Sequence, residues 1–313
     1  LGFTGLDGKG LEGIEFYYNR YLQGAESRIK IYKDALGNGF RSDTRHLTSR
    51  GGHNLTLTID SHIQNIAERA LAKAAGRFSA ASAIALVTQP QTGEIFAIAH
   101  YPSFNPNSYL DSDRTTWRNR AITDPFEAGS TMKIFSAAAA LESANIKHDD
   151  IFFCENGKYK IGKNVVHDIS KHGWLSVQQI IKYSSNIGAV KIGEKVGPKN
   201  LYQTLRDFGF GAKTGIDCPG ETPGRLSHYA SWSDIDIGAI SFGHGIAVSA
   251  IQLIAAVSVI ANDGILMKPY IVREITDQYN QTVKRFEPEP VRRVISPRTA
   301  GIIKNIMKTV TTP

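Results

Sequence analysis

Cysteine and long apolar runs are scarce in this chain of 313 residues. The two cysteines, Cys154 and Cys218, are too few for a disulfide framework or a cysteine-based metal cluster. We expect two buried free thiols, and a disulfide formed in an oxidising compartment is the alternative. No apolar run approaches the roughly 20 residues of a membrane span, and no signal peptide is recognisable. Because the chain starts at Leu1 and not at Met, we expect any anchoring or targeting segment to lie upstream.

Charge of one sign is not concentrated in any segment. The net charge of +7 is spread along the sequence, and aromatic residues do not alternate with a basic run, which argues against nucleic-acid binding. The chain also lacks a glycine-rich phosphate loop, a His-Glu-x-x-His zinc signature and a Gly-x-Ser-x-Gly nucleophile elbow. With 42% hydrophobic and 21% charged residues, the composition is typical of a globular protein.

The apolar patterns predict a sheet with helices packed on it. The first fifty-odd residues are rich in glycine and charge, and we interpret them as extended, partly β, and belonging to an upstream region or a linker. The remaining patterns predict a strand at 55–59, a helix capped by Asp60, a hairpin of 81–87 and 95–100, a mostly helical region from 130 to about 259, and a strand at 265–272. This order of elements is typical of an α+β fold.

The most informative chemical pattern is the pair Ser130 and Lys133. Gly129 permits an abrupt entry into a helix at Ser130, and positions i and i+3 share one helix face. Apolar neighbours desolvate Lys133, and burial lowers the pKa of a lysine until its amine can act as a base. The pair therefore predicts a serine nucleophile with its activator, at a helix N-terminus that favours a developing oxyanion. From these residues alone, a buried helix whose lysine reaches out to solvent is the alternative.

A second polar element, Ser184-Ser185-Asn186, separates two apolar runs of helical spacing. Polar groups without partners are costly in such surroundings, so these residues need either a structural or a chemical reason. The structural interpretation is a polar junction between two helices. The functional interpretation is a hydrogen-bonding shuttle that relays a proton and holds a substrate amide.

Lys213-Thr214-Gly215 matches the third motif of a known serine acyltransferase set, whose other motifs are Ser-x-x-Lys and Ser-x-Asn. That motif has to lie on a strand edge, where its backbone pairs with an extended peptide. The glycine- and proline-dense surroundings predict a loop, so we interpret this match as coincidental. We also expect His244, in the glycine-spaced segment 241–245, to be structural.

Several segments, in the same order along the chain, together resemble the transpeptidase domain of class B penicillin-binding proteins. The segments are 118–133, 183–186, 208–221 and 241–252. The resemblance runs from about Asn54 to the end, and residues 10–15 are similar to the tail of the family's non-catalytic pedestal domain. It implies an α+β penicillin-binding transpeptidase fold, with an antiparallel sheet and a helical subdomain, at 54–313, and a pedestal remnant with a linker at 1–53. Residues 118–121 with Asp124 look more like the division-specific branch than the elongation branch.

The resemblance implies a peptidoglycan D,D-transpeptidase that works without cofactor or metal. Ser130 would attack the carbonyl of the penultimate D-alanine in a stem peptide, and Lys133 would take its proton. Ser184 would pass protons to the leaving or entering nitrogen, and Asn186 would bind the donor amide. A neighbouring stem peptide then attacks the ester to form the cross-link, and a β-lactam mimics the donor.

The resemblance also assigns substrate contacts, partners and a location. Gly129 and Ser185 would contact the substrate. The implied partners are the stem peptide, β-lactams, a membrane glycosyltransferase and other division proteins, and the implied place is the outer face of the bacterial cytoplasmic membrane, with the anchor upstream. A β-lactam sensor and a catalytically silent division scaffold are the alternative functions for the same fold.

The family's third motif lies on a strand after a helix like 299–308, and the sequence ends at Pro313. We therefore expect the domain at 54–313 to be truncated before that motif. Since the loss of one oxyanion donor costs ~10²–10³ in rate, the 313 residues as given are expected to be a weak or inactive enzyme.

Overall fold

The computed structural model describes residues 1–24, 31–33, 39–41, 51–143 and 146–311. Parts of the predicted linker at 1–53 therefore lie outside the described residues. The helices of the described residues are α1 (Gly13–Tyr17), α2 (Asn19–Leu22), α3 (Ser61–Arg77), α4 (Arg120–Thr123), α5 (Lys133–Ser143), α6 (Val177–Lys182), α7 (Asn186–Val196), α8 (Pro198–Asp207), α9 (Asp234–Ser241), α10 (Ala250–Ala261) and α11 (Pro297–Val310).

The strands are short and pair antiparallel with one another wherever two named strands meet in the described residues. They are β1 (Ile31–Lys33), β2 (Gly39–Arg41), β3 (Asn54–Leu57), β4 (Ala83–Thr88), β5 (Ile95–Tyr101), β6 (Ile151–Phe153), β7 (Lys158–Ile161), β8 (Asn164–His167), β9 (Trp174–Ser176), β10 (Ile265–Met267), β11 (Val272–Thr276), β12 (Thr282–Arg285) and β13 (Pro290–Arg293). The pairs are β1–β2, β4–β5, β6–β9, β7–β8 and β10–β13, and β11 lies between β3 and β12.

The hairpin β4–β5 is attached to the three-stranded sheet through backbone contacts. The Ile95 amide donates to the Tyr270 carbonyl at 3.2 Å, and the Tyr270 amide donates to Gly93 at 3.2 Å. The buried hydroxyl of Thr58, which follows β3, donates to the Ile95 carbonyl at 2.7 Å. These contacts bring the strands from both ends of the chain together, so the predicted α+β arrangement of sheet and helices is confirmed.

The helical region is built around α5. Its alanines, Ala137 to Ala140, are fully buried, and such small side chains let neighbouring helices approach closely. The Phe135 ring lies with its centroid 4.9 Å from that of Phe208 and 5.0 Å from that of Phe210, which fixes α5 against α8 and the loop that follows it. The first turn of α5, which carries Lys133, is therefore held in place by this packing.

Several local predictions are confirmed. The Asp60 carboxylate caps α3 by accepting from the backbone N–H groups of His62 and Ile63 at 2.9 and 3.0 Å. The predicted hairpin is β4–β5, and both Cys154 and Cys218 are free and buried.

Three local predictions are wrong. Residues 13–17 and 19–22 are helical and not extended, and Ile14 and Tyr18, one turn apart, are both buried. The predicted strand at 265–272 is two strands, β10 and β11, since Pro269 between them has no N–H to donate. The region from 130 to 259 also contains strands β6 to β9, inserted between α5 and α6.

Tyr18 connects the N-terminal helices to the sheet. Its hydroxyl donates to Oδ2 of Asp217 at 2.8 Å, and the Asp217 carboxylate also accepts from the backbone N–H groups of Ile271 and Val272 at 2.7 and 2.9 Å. Burial beside this carboxylate raises the pKa of the Tyr18 hydroxyl, so it stays a donor. Among the described residues, no helix combines the length and apolar character that a membrane crossing requires.

The contact between α7 and α9 depends on Gly193. A Cβ atom at this position would lie 1.9 Å from Oγ of Ser241. We expect Gly193→Ala to lower the free energy of unfolding by about 1–3 kcal/mol, because the added methyl group overpacks the helix contact. Urea unfolding monitored by circular dichroism measures the change.

Gly301→Ala is the matched control within a helix. Gly301 lies inside α11, and a Cβ atom there has nothing within 4 Å. This substitution should raise the free energy of unfolding by about 0.5–1 kcal/mol, because alanine has the higher helix propensity. Equal stability of the two variants would contradict the proposed close packing of α7 on α9.

Candidate active site

Ser130 lies at the start of the helical run that continues into α5. Residues before it are held by a short antiparallel bridge, in which the Phe126 amide donates to Val248 and the Val248 amide donates to Phe126, both at 2.9 Å. Gly129 then turns the chain with φ of +56°, and a 3₁₀ turn, Gly129–Met132, leads into α5. Ser130 is exposed at this turn, where the first N–H groups of a helix have no partner within the helix.

The segment 241–245 supports this turn from behind. The Gly129 amide donates to the Gly243 carbonyl at 3.2 Å, and a Cβ atom on Gly243 would lie 2.0 Å from the Gly129 carbonyl oxygen. Gly243 also has φ of +92°, so both its space and its backbone conformation require glycine.

Glu127 joins the two segments on their exposed side. Its Oε1 accepts from the Gly245 amide at 2.9 Å, and its Oε2 lies 3.0 Å from Nδ1 of His244. The Gly245 hydrogen bond lowers the pKa of the Glu127 carboxyl. In these contacts His244 faces Glu127, three residues before the serine.

Lys133 is 2% exposed, yet its amine has four polar neighbours. Nζ lies 3.1 Å from Oγ of Ser130, 2.9 Å from Oγ of Ser184, 2.6 Å from the Ser184 carbonyl oxygen and 2.8 Å from Oδ1 of Asn186. Burial lowers the pKa of Lys133 to about 8, and the charge of Asp168 opposes this shift. A substantial fraction of the amine is therefore neutral near physiological pH.

The four neighbours of Lys133 orient its lone pair. A carbonyl oxygen and an amide oxygen are acceptors only, so they take the two N–H bonds of the neutral amine. The nitrogen lone pair then remains for the hydroxyls of Ser130 and Ser184, which are able to donate. The geometry thus presents a neutral amine, with its basic electron pair, to the serine at the surface.

The Ser184 hydroxyl contacts both Ser130 and Lys133. Ser184 follows the end of α6 with φ of +55°, a left-handed conformation that is uncommon for a residue with a side chain. Its Oγ lies 3.1 Å from Oγ of Ser130 and 2.9 Å from Nζ of Lys133. The three groups form a closed hydrogen-bonded triangle, so a proton can pass between any two of them.

Asn186 is the first residue of α7, and both ends of its amide are engaged. Nδ2 donates to the carbonyl of His167 at 2.9 Å, while Oδ1 accepts from Lys133. Because the His167 carbonyl is an acceptor only, it fixes the orientation of the amide. The NH₂ group carries a second hydrogen, which has no acceptor among the residues that the structure describes, and the side chain is partly exposed.

Ser185 is placed differently from its neighbours. It is 1% exposed, its hydroxyl donates to Oδ2 of Asp168 at 2.6 Å, and its Oγ accepts from the Gly188 amide at 2.9 Å. It therefore caps α7 from the protein interior. This position does not favour the substrate contact predicted for Ser185 from the sequence.

Asp168 is a residue that the sequence reasoning missed. It follows β8, and its Oδ1 accepts from the backbone N–H groups of Asn186 and Ile187 at 2.5 and 3.0 Å. No spacing rule connects it with Ser185 across 17 residues. The available signal was indirect, since a helix start at Asn186 requires acceptors for its first amides.

Lys213-Thr214-Gly215 lies in a loop, as predicted. Both Thr214 groups, the amide and the hydroxyl, donate to Oε1 of Glu221, and the Gly215 amide donates to Oε2 of Glu221 at 3.1 Å. These bonds occupy the backbone that a strand edge would offer to a peptide. In the described residues, no group of three or more His, Cys, Asp or Glu side chains is arranged to hold a metal ion.

Comparison with known proteins agrees with this geometry. The family described as penicillin binding protein transpeptidase domain matches residues 83–313. Stage V sporulation protein D of Bacillus subtilis is 35% identical over 315 residues, which cover 99% of this chain and 49% of that protein. The protein named "Probable peptidoglycan D,D-transpeptidase PbpC" of Pseudomonas aeruginosa is 34% identical over 294 residues, which cover 94% of this chain and 52% of that protein.

Solved structures of a related protein have a similar fold. Penicillin binding protein 3 of Mycobacterium tuberculosis, in its apo form, superposes with a TM-score of 0.88 at 27% identity, covering 100% of this chain and 67% of that chain. Its complex with aztreonam superposes equally well, with a TM-score of 0.88.

The chain spans about half the length of the two curated relatives, at 49% and 52%. The family match nevertheless covers most of the chain, and it includes Ser130, Lys133 and residues 184–186. The motifs and the fold agree with it. The chain therefore belongs to the family of penicillin-binding protein transpeptidase domains.

Proposed function

We propose that the protein is a serine-type peptidoglycan D,D-transpeptidase that cross-links stem peptides in cell-wall synthesis. The observation that carries this proposal is the desolvated Lys133 amine, whose Nζ lies 3.1 Å from Oγ of the exposed Ser130. A serine activated in this way attacks carbonyl groups. The relative in Pseudomonas aeruginosa is named as a D,D-transpeptidase, which supports the same chemistry here.

In the acylation step, Oγ of Ser130 forms a bond to the carbonyl carbon of the penultimate D-alanine, and its proton moves to Nζ of Lys133. The peptide C–N bond then breaks, and the terminal D-alanine leaves with a proton on its nitrogen. Ser184 supplies the route for that proton, since its Oγ is within 3.1 Å of both the nucleophile and the base. The Ser130 amide, in the first turn of the helix, is placed to donate to the developing oxyanion.

In the cross-linking step, the amine of a neighbouring stem peptide attacks the Ser130 ester. The same three groups work in reverse, and the proton of the entering nitrogen reaches Lys133 through Ser184. The second Nδ2 hydrogen of Asn186 is free to bind the carbonyl of the donor amide. Gly129 contributes backbone at the edge of the site, and Ser185 acts only by positioning its neighbours.

A β-lactam is the expected inhibitor. The ring carbonyl mimics the D-alanine carbonyl, and Ser130 opens the ring to give a slowly released ester. The structural neighbour from Mycobacterium tuberculosis has been solved with aztreonam, which supports this proposal for the present chain.

We propose a place at the outer face of the cytoplasmic membrane, where peptidoglycan is assembled, with a membrane glycosyltransferase and division proteins as partners. The division role rests on residues 118–121 and Asp124. Arg118 and Asp124 form an ion pair of 2.8 Å just ahead of the Ser130 turn. We also propose that residues 1–53 are the remnant of a pedestal domain with a linker and that the transpeptidase domain starts at residue 54.

Fluorescent penicillin tests the proposed acylation. The protein should be labelled covalently, and Ser130→Ala should reduce the labelling to background, since Ser130 is the residue proposed to form the ester. Ser143→Ala is the matched control, because this exposed serine ends the same helix, α5, and donates to the Ala139 carbonyl. Labelling is read from denaturing gels.

The outcomes separate the three candidate functions. Labelling that is lost in Ser130→Ala, together with cross-linking of stem peptides, supports the transpeptidase. Labelling of the full-length protein without any cross-linking indicates the β-lactam sensor. Equal labelling of the wild type and Ser130→Ala excludes both, and leaves the silent division scaffold.

The rate of acylation should depend on the charge of Lys133. The reactive form is the neutral amine, and its pKa is lowered to about 8 by burial. The rate is therefore expected to be low below this pKa and to rise about tenfold between pH 7 and pH 9, where it levels off. Stopped-flow measurement of penicillin acylation across this range gives the midpoint. A rate that is flat from pH 6 to pH 10 contradicts a base role for Lys133.

A further inference from the structure

We infer that Asp168 is a positioning residue of this site: its carboxylate holds the turn of residues 184–186 in the shape that presents Ser184 and Asn186 to Lys133, and its negative charge acts on the Lys133 amine. The inference deepens the proposed function, and its kinetic readout rests on that function. Its second readout, the titration of Lys133, does not.

The first argument is the conformation of the turn. Ser184 has φ of +55°, and a residue with a side chain keeps such a conformation only where its surroundings enforce it. Three consecutive residues after it donate to one carboxylate: the Ser185 hydroxyl and the backbone amides of Asn186 and Ile187. Asp168 therefore fixes the chain immediately after Ser184.

The second argument is that the first backbone amides of α7 need hydrogen-bond acceptors. The first amides of α7 have no carbonyl partner within the helix, and a carboxylate at a helix N-terminus satisfies them with favourable electrostatics. Asp168 takes two of these amides, and Ser185 takes the amide of Gly188. The two residues together occupy the start of α7, so Asn186 begins the helix with its side chain directed at Lys133 and His167.

The third argument is electrostatic. Burial lowers the pKa of Lys133, and Asp168 is the charged group that raises it again. Other titratable groups near these residues are Cys154, on which the charges of Asp168, Lys191 and Glu155 act, and His167, which gives its carbonyl to Asn186. The pair Glu127 and His244 lies beside the Ser130 turn. The charge of Asp168 thus opposes the larger effect of burial and favours the ammonium form of Lys133.

Two substitutions of Asp168 separate the effect of its hydrogen bonds on the turn from the effect of its charge on Lys133. Asp168→Asn keeps an oxygen acceptor for the amides of α7 but removes the negative charge. Asp168→Ala removes both. Asp60→Asn is the matched control, because Asp60 also caps a helix by accepting from two backbone amides and forms no hydrogen bond with Ser130, Lys133, Ser184 or Asn186 in the described part of the chain.

The titration of Lys133 is followed through its ¹³Cε NMR signal, assigned with Lys133→Arg, in the protein without ligand. In Asp168→Asn the midpoint is expected to move to lower pH, because the charge that favours the ammonium form is gone. The midpoint of penicillin acylation should move in the same direction. In Asp168→Ala the plateau rate of acylation should fall about 10²-fold, since Ser184 and Asn186 lose their positions.

Melting temperatures show whether each variant is folded. When Asp168→Ala does not fold, Asp168→Asn alone decides the question. An unchanged Lys133 midpoint in Asp168→Asn, with a plateau rate equal to that of Asp60→Asn, overturns the inference. When the wild type is not acylated by penicillin at all, the proposed function fails, and the Lys133 titration still decides about Asp168.

Discussion

The burial of the Lys133 amine is the constraint on which the rest of this structure depends. A lysine that is 2% exposed between apolar neighbours loses the hydration of its charge, and it is tolerated only with close polar partners. The Ser184 carbonyl and the Asn186 amide oxygen are those partners. Both come from the junction of α6 and α7, 51 and 53 residues away in the sequence. The helical region must therefore place this junction against the first turn of α5.

Close helix packing brings the junction and α5 together. A Cβ atom on Gly188 would lie 2.4 Å from the Ile180 side chain, so glycine lets α7 turn back tightly on α6. The buried alanines of α5 allow α7 to approach from the other side. Behind Ser130, the backbones of Gly129 and Gly243 touch in the same way. Small residues thus occupy the places where the elements carrying Ser130, Lys133 and Ser184 meet, and this fixes the distances within the hydrogen-bonded triangle of these three side chains.

Much of the site could be predicted from the sequence because its signals are local. Ser130 and Lys133 share a helix face through their spacing, and Ser184 with Asn186 interrupts apolar runs. Asp168 could not be found in this way, because its partners lie 17 to 19 residues ahead and its own segment shows no strong pattern. In the fold, the long hairpin was predictable, whereas strands of three or four residues such as β6 to β9 carry too few positions for a clear alternation.

The position of Asp168 also explains how Lys133 can be stabilised by a nearby negative charge and still have a lowered pKa. A carboxylate in direct contact with the amine would hold the ammonium form and remove the base. Here the carboxylate is instead engaged with Ser185 and the first amides of α7, while Nζ of Lys133 contacts uncharged oxygens. Its charge therefore opposes the burial of Lys133 only in part, and the pKa settles at about 8. In the proposed mechanism, a base of this strength takes the proton of Ser130 in one step and returns it to a leaving nitrogen in the next.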